Sequence, residues 1–188
     1  MKDTIVGNNI LTVLGCDPGS SNFGFGVLQV DLNSKKKLRY RFREVGMMQN
    51  LLREMKGDVR GDLKKFYRGF NRILREHKVD VIVAERYMNR GIRGNTGELV
   101  GMMLGAIVHS ASVQDVMLIP ASQWKNAFNK NATLTDVYDK SRLVPHVIDA
   151  CSIALYGACR YADHKPFEFL KGKGVKKLIA NLDKAHIK

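Results

Sequence analysis

Three acids stand where acids are seldom found. Asp17 ends the apolar run Ile10-Leu-Thr-Val-Leu-Gly-Cys, Glu85 ends the run that starts at Val79, and Asp149 is the only charged residue between Arg142 and Arg160. Carboxylates are rarely buried unless they are paired or hold a metal. If the runs ending in Asp17 and Glu85 are parallel neighbouring strands, their carboxylates meet at the sheet edge where open α/β sheets bind ligands, and a cation must offset their repulsion. His146 precedes Asp149 by three residues, so the two share a helix face that can complete the cluster. Each residue also has an ordinary alternative. Asp17 before Pro18-Gly19 can cap a turn, Glu85 can pair with Arg86 or Arg90, and His146 can be a plain first-turn residue. No basic residue lies one helical turn from Asp149 on either side. The four together carry the signal.

The elements that must position them follow from periodicity. Ile10 to Asp17 reads as a strand, Pro18 to Asn22 as a turn, and Phe23 to Val30 as the second arm of a hairpin. Gly24 and Gly26, two apart, fall on one face, where backbone or ligand can come close. Leu38 to Val45 alternates apolar residues with Arg39, Arg41 and Arg43, a third, half-exposed strand. Leu63, Phe66, Tyr67, Phe70, Ile73 and Leu74 follow helical spacing between Asp62 and His77. Val79 to Ala84 reads as a buried strand, Glu98 to Val113 as a core helix with Gly97, Gly101 and Gly105 on one face, and Val116 to Ile119 as a short strand. Ser122 to Phe128 reads as a helical turn, and Pro145 pre-sets a helix reaching about Tyr161. Short links make the first three strands an antiparallel meander, and helical crossovers imply parallel additions. The expected architecture is α/β, a mixed five-stranded sheet with helices packed on it.

The chain has 188 residues, 45% of them hydrophobic, with 31 Lys plus Arg against 18 Asp plus Glu and a net charge of +13. It is read as one domain, 1–188, with a lysine-rich extension from about 163 whose Val175, Leu178, Ile179 and Leu182 keep helical spacing. The positive excess calls for a polyanion, nucleic acid first and an anionic membrane surface second. No apolar run reaches the ~18 to 20 residues of a membrane span, and no signal peptide is recognisable, so an intracellular, cytoplasmic protein is expected. Cys16, Cys151 and Cys159 sit in apolar segments and suit reduced core thiols better than zinc ligands. Gly19 to Gly24 has the spacing of a phosphate-binding loop but continues Phe25-Gly26 where Lys and Ser or Thr are required, and no nucleophile with its base is recognisable. Metal-assisted hydrolysis is left.

The segments LGCDPGSSNFGFGV, VDVIVAERYMNRG, VMLIP and PHVIDACSIAL, in this order and spacing from about Ile10 to Tyr161, resemble the RuvC-type Holliday junction resolvases of the ribonuclease H superfamily. The resemblance implies a ribonuclease H-like fold and puts Asp17, Glu85, His146 and Asp149 in the places of the four metal-site residues. Many members carry an acid where this chain has His146, and the segment from Trp124 to Val144 is shorter than in bacterial members. The implied chemistry is phosphodiester hydrolysis with two Mg²⁺ ions roughly 4 Å apart, Mn²⁺ substituting, in a homodimer that resolves four-way DNA junctions in recombination or repair. A histidine near the attacking water would orient it or shuttle its proton. Asp136 and Asp139 are read as loop caps rather than ligands. Other ribonuclease H-like nucleases, acting on branched DNA or RNA–DNA hybrids, and a non-catalytic nucleic-acid binder remain alternatives.

The DNA grip is assigned to two places. Between Lys35 and Arg75 there are 14 Lys plus Arg against 4 Asp plus Glu, and Lys64, Lys65, Arg68 and Arg72 line the polar face of the helix there, which can equally be a plain solvated face. After Glu85, the residues Arg86, Tyr87, Met88, Arg90 and Arg93 place cations and an aromatic beside the acids. Tyr87 or Met88 can act as a wedge between unstacked bases, or anchor the loop. Trp124 is read as a core residue.

Overall fold

The structure, a computed structural model, describes residues 9–19, 21–34, 37–49, 58–87, 96–109 and 113–188. Strands β1 (Ile10–Asp17), β2 (Asn22–Asp31) and β3 (Arg39–Gln49) form the antiparallel meander, followed by helix α1 (Val59–His77), β4 (Val81–Arg86), α2 (Thr96–Val108) and β5 (Asp115–Pro120). Then come α3 (Ala121–Asn131), α4 (Leu134–Lys140), α5 (Pro145–Tyr161), a 3-10 turn at Glu168–Leu170, α6 (Lys173–Leu182) and β6 (His186–Ile187). The sheet order is β5-β4-β1-β2-β3-β6, with β4 and β5 added parallel to β1 as expected. A sixth strand, two residues long, lies parallel to β3 at Glu44 and Val45, so the lysine-rich extension closes that sheet edge. Ser122 to Phe128, read as one turn, is part of an eleven-residue helix. The helix expected to reach Val113 stops at Val108.

Strand alternation splits the core in two. Leu11, Val13, Val81 and Val83 face α3 to α6, whereas Leu14, Cys16, Ile82 and Ala84 face α1 and α2. Helix α1 docks through Phe66, Phe70, Ile73 and Leu74; Asp58 caps its start by accepting from Gly61 N at 2.9 Å, and Lys78, in the left-handed region at φ 49°, ends it. Asp80, the one polar break in the β4 run, ties β4 to β1: its carboxylate accepts from Thr12 N at 2.7 Å while its own N–H donates to Thr12 O at 3.0 Å.

A β-bulge re-aims part of β3. Val27 pairs with Glu44 but Leu28 with Phe42, leaving Arg43 as the extra residue. Strict alternation would put Glu44 on the face of Phe42; the bulge turns it to the α1 side instead. There its buried carboxylate meets His77 Nε2 at 3.0 Å and Lys188 Nζ at 3.3 Å.

Candidate active site

The β1–β4 register delivers the first two acids together. It pairs Val13 with Val81 and runs to Cys16 opposite Ala84, so the next residue on each strand is Asp17 and Glu85. By the same alternation both side chains lie on the α5 face.

Missing side chains let α5 reach them. A Cβ at Gly24 would lie 2.1 Å from the carbonyl oxygen of His146, one at Gly15 2.1 Å from that of Ala150, and one at Gly26 2.7 Å from Cys151 Sγ. The first turns of α5 therefore rest on bare strand backbone, which sets His146 and Asp149 over the strand ends. The glycine pair at 24 and 26 serves helix–sheet contact rather than a ligand.

Each acid has a protein partner. His146 Nδ1 lies 2.6 Å from Asp17 Oδ2, Trp124 Nε1 donates to Glu85 Oε2 at 2.9 Å, and the Tyr138 hydroxyl donates to Asp149 Oδ1. Lys125 Nζ sits 3.5 Å from Asp149 Oδ2 and 4.9 Å over the Trp124 ring. Burial holds the Glu85 and Asp149 carboxyls above the ordinary range, against the pull of the Trp124 and Tyr138 hydrogen bonds, and the Asp17 charge adds to the rise at both. The hydrogen bond to Asp17 raises the His146 imidazole, against burial. Three mutually repelling carboxylates and one imidazole, paired with the Lys125 ammonium alone among described lysines and arginines, make a hard, oxygen-rich donor set. A donor set of that kind could hold a hard divalent cation.

Three of these contacts were not legible beforehand. Trp124 is fully buried, as expected, but its indole N–H reaches Glu85. Lys125 supplies Asp149 with the cation that its own helix lacks, and Tyr138 comes from α4, a helix without a clear periodic signal. Asp136 accepts from the hydroxyl of Thr133, the residue that opens α4, and pairs with Lys140 at 2.9 Å, but no capping hydrogen bond runs from the Thr133 side chain to the helix backbone, so the expected capping role is not seen.

The residues expected to grip DNA separate. Lys64, Lys65, Arg68 and Arg72 are exposed on α1, which covers the sheet face opposite the acids; Lys65 pairs with Asp62 at 3.6 Å and Arg72 with Glu76 at 3.7 Å. Arg86 is exposed at the end of β4, beside Glu85. Tyr87 is half-buried, and its ring lies against Gly97 in the first turn of α2, the contact of a loop anchor. Met88, Arg90 and Arg93 lie outside the described residues. Among the described residues, Glu44, Glu76 and His77 are the one group of three whose ligand atoms all lie within 4.8 Å of one another, and Lys188 already pairs with both carboxylates; no three of Asp17, Glu85, His146 and Asp149 come that close.

No family model and no curated protein matches the sequence. Solved structures do. Thermus thermophilus RuvC superposes with a TM-score of 0.66 at 19% identity, covering 83% of this chain and 99% of its own. A second T. thermophilus RuvC structure, in complex with a Holliday junction substrate, gives 0.63 at 21% identity over 80% of this chain and 95% of its own. The chain has a RuvC-like fold. The yeast mitochondrial Holliday junction resolvase Ydc2 matches more loosely, with a TM-score of 0.50 at 14% identity over 95% of this chain and 85% of its own. In this RuvC-type fold the four residues picked out by sequence lie at one end of the sheet, His146 in contact with Asp17, and α3 and α4 bring three more to them.

Proposed function

We propose that this chain is a divalent-metal-dependent endonuclease that resolves four-way DNA junctions. The observation that carries the reading is the convergence of Asp17, Glu85, Asp149 and His146 at the strand ends of a RuvC-type sheet. Asp17, Glu85 and Asp149 would hold the metal, Mg²⁺ by donor chemistry with Mn²⁺ as substitute, most simply as a pair of ions. When bound, such ions activate a water and stabilise the leaving oxygen of the phosphodiester. The protein's own part is to place the carboxylates, to exclude water on the β1–β4 side by core packing, and to hold a proton at His146. Asp17 fixes the Nδ1 side of that imidazole, which leaves Nε2 to exchange a proton with a water.

Two opposed cuts require two sites, so the active species is a homodimer with C2 symmetry. Helix α2 suits its interface. Gly101 and Gly105 meet nothing within 4 Å of where a Cβ would stand, and Met102 and Val108, on the same stretch, are exposed. The deciding experiment offers synthetic junction, flap, RNA–DNA hybrid and plain duplex side by side, with Mg²⁺ and with a chelator. Metal-dependent paired nicks at the junction are expected. Asp17→Asn, Glu85→Gln and Asp149→Asn should each lose cleavage while keeping junction binding. Preference for flap or hybrid would overturn the junction assignment.

A further inference from the structure

Trp124 and Tyr138 have no place in the chemistry above, yet each spends its polar atom on an acid of the site. Trp124 is completely buried, and its N–H goes to Glu85 rather than to a backbone carbonyl. The Tyr138 hydroxyl does the same at Asp149. They stand on α3 and α4, the two helices that follow β5, so the pair of contacts ties that whole segment to the acids. Both donors are neutral. Lys125, 40% exposed on a flexible stem, opposes a cation at Asp149, whereas a phenol or indole N–H occupies one carboxylate oxygen and turns the other without cancelling its charge.

We propose that Trp124 and Tyr138 are positioning residues that orient the Glu85 and Asp149 carboxylates for a divalent cation, and that Trp124 reports whether the site is filled. The proposal rests on the metal-dependent reading of the site. Trp124 is the only tryptophan in the chain, so its emission comes from the residue that touches Glu85.

The test is a titration of the full chain with Mg²⁺ and Mn²⁺, followed by tryptophan emission and by calorimetry. The wild type should show a saturable emission change at the calorimetric midpoint, and Glu85→Gln should lose that change. Tyr138→Phe removes one oxygen and should raise the midpoint about tenfold. Its junction cleavage should then need correspondingly more metal and recover at saturation. Trp124→Phe, followed by calorimetry alone, should raise the midpoint in the same direction. Unchanged midpoints in both variants overturn the positioning role, and emission that ignores a binding event seen by calorimetry overturns the reporter. A wild type that cuts junctions with metal while Tyr138→Phe and Trp124→Phe behave identically to it defeats this inference alone. Shifted midpoints without junction cleavage defeat the nuclease reading and leave the inference standing. No metal binding by either method defeats both.

Discussion

Ionising Asp149 and Glu85 costs more in the folded chain than in the unfolded one, because burial holds both carboxyls above their ordinary range. His146 is raised as well, by its bond to Asp17. A group whose folded affinity for protons exceeds its unfolded one stabilises the protein below the unfolded pKa and loses that contribution as pH rises through the folded pKa. All three shifts have this sign, so their contribution falls from the carboxylate range up through the histidine range. In chelator, Asp149→Asn should therefore raise stability at neutral pH, and the gain should vanish as pH falls below the ordinary carboxylate range. Glu85→Gln should act in the same direction. Thermal melts across pH check both, and a Tm lowered by either substitution at pH 7 contradicts the account. At position 146, Asp should keep cleavage within about tenfold of wild type and Ala should not, since an acid there can hold metal; rates on a junction decide it. The candidate acids were legible because each breaks an apolar run, and His146 because it stands three residues before Asp149. Trp124, Lys125 and Tyr138 were not, because they approach the acids through space, 39, 24 and 11 residues away along the chain.

Elements fix the site through backbone contact, so they should be intolerant of added bulk. Gly24→Ala drives a Cβ against the His146 carbonyl, and overpacking of this kind costs about 1–3 kcal/mol. The same displacement moves His146 and Asp149 off Asp17, so cleavage should fall more than stability alone accounts for. Comparing rate and denaturation midpoint for Gly24→Ala with those for a cavity-forming Leu178→Ala, far along the chain in α6, separates the two effects. Helix α1 and helix α5 were readable from periodicity, since each buries one long apolar series. Helix α4 has only seven residues, too few for a period, and β6 has two. The bulge at Arg43 leaves no mark in an alternation that reads equally well without it.

At the scale of the molecule, charge and assembly make separate predictions. Replacing Lys64, Lys65 and Arg68 on α1, which faces away from the acids, removes positive charge without touching the site, so it should weaken binding to duplex and junction alike. A change in the junction-to-duplex ratio would instead assign α1 to branch recognition. Gly101→Arg meets open space within one protomer, so it should leave Tm nearly unchanged while shifting sedimentation from dimer to monomer and abolishing paired nicks.

The bare strand backbone beneath α5 also bears on how far such a sequence can drift. Where two main chains touch, the spacing of what they carry is set by atoms that every residue shares, and the identities of most core side chains become negotiable. A library randomised over Leu11, Val13, Val83 and Ile153 should return many active apolar combinations, whereas one randomised over positions 15, 24 and 26 should return glycine almost alone. Architecture would then persist in descendants whose sequences have ceased to look related.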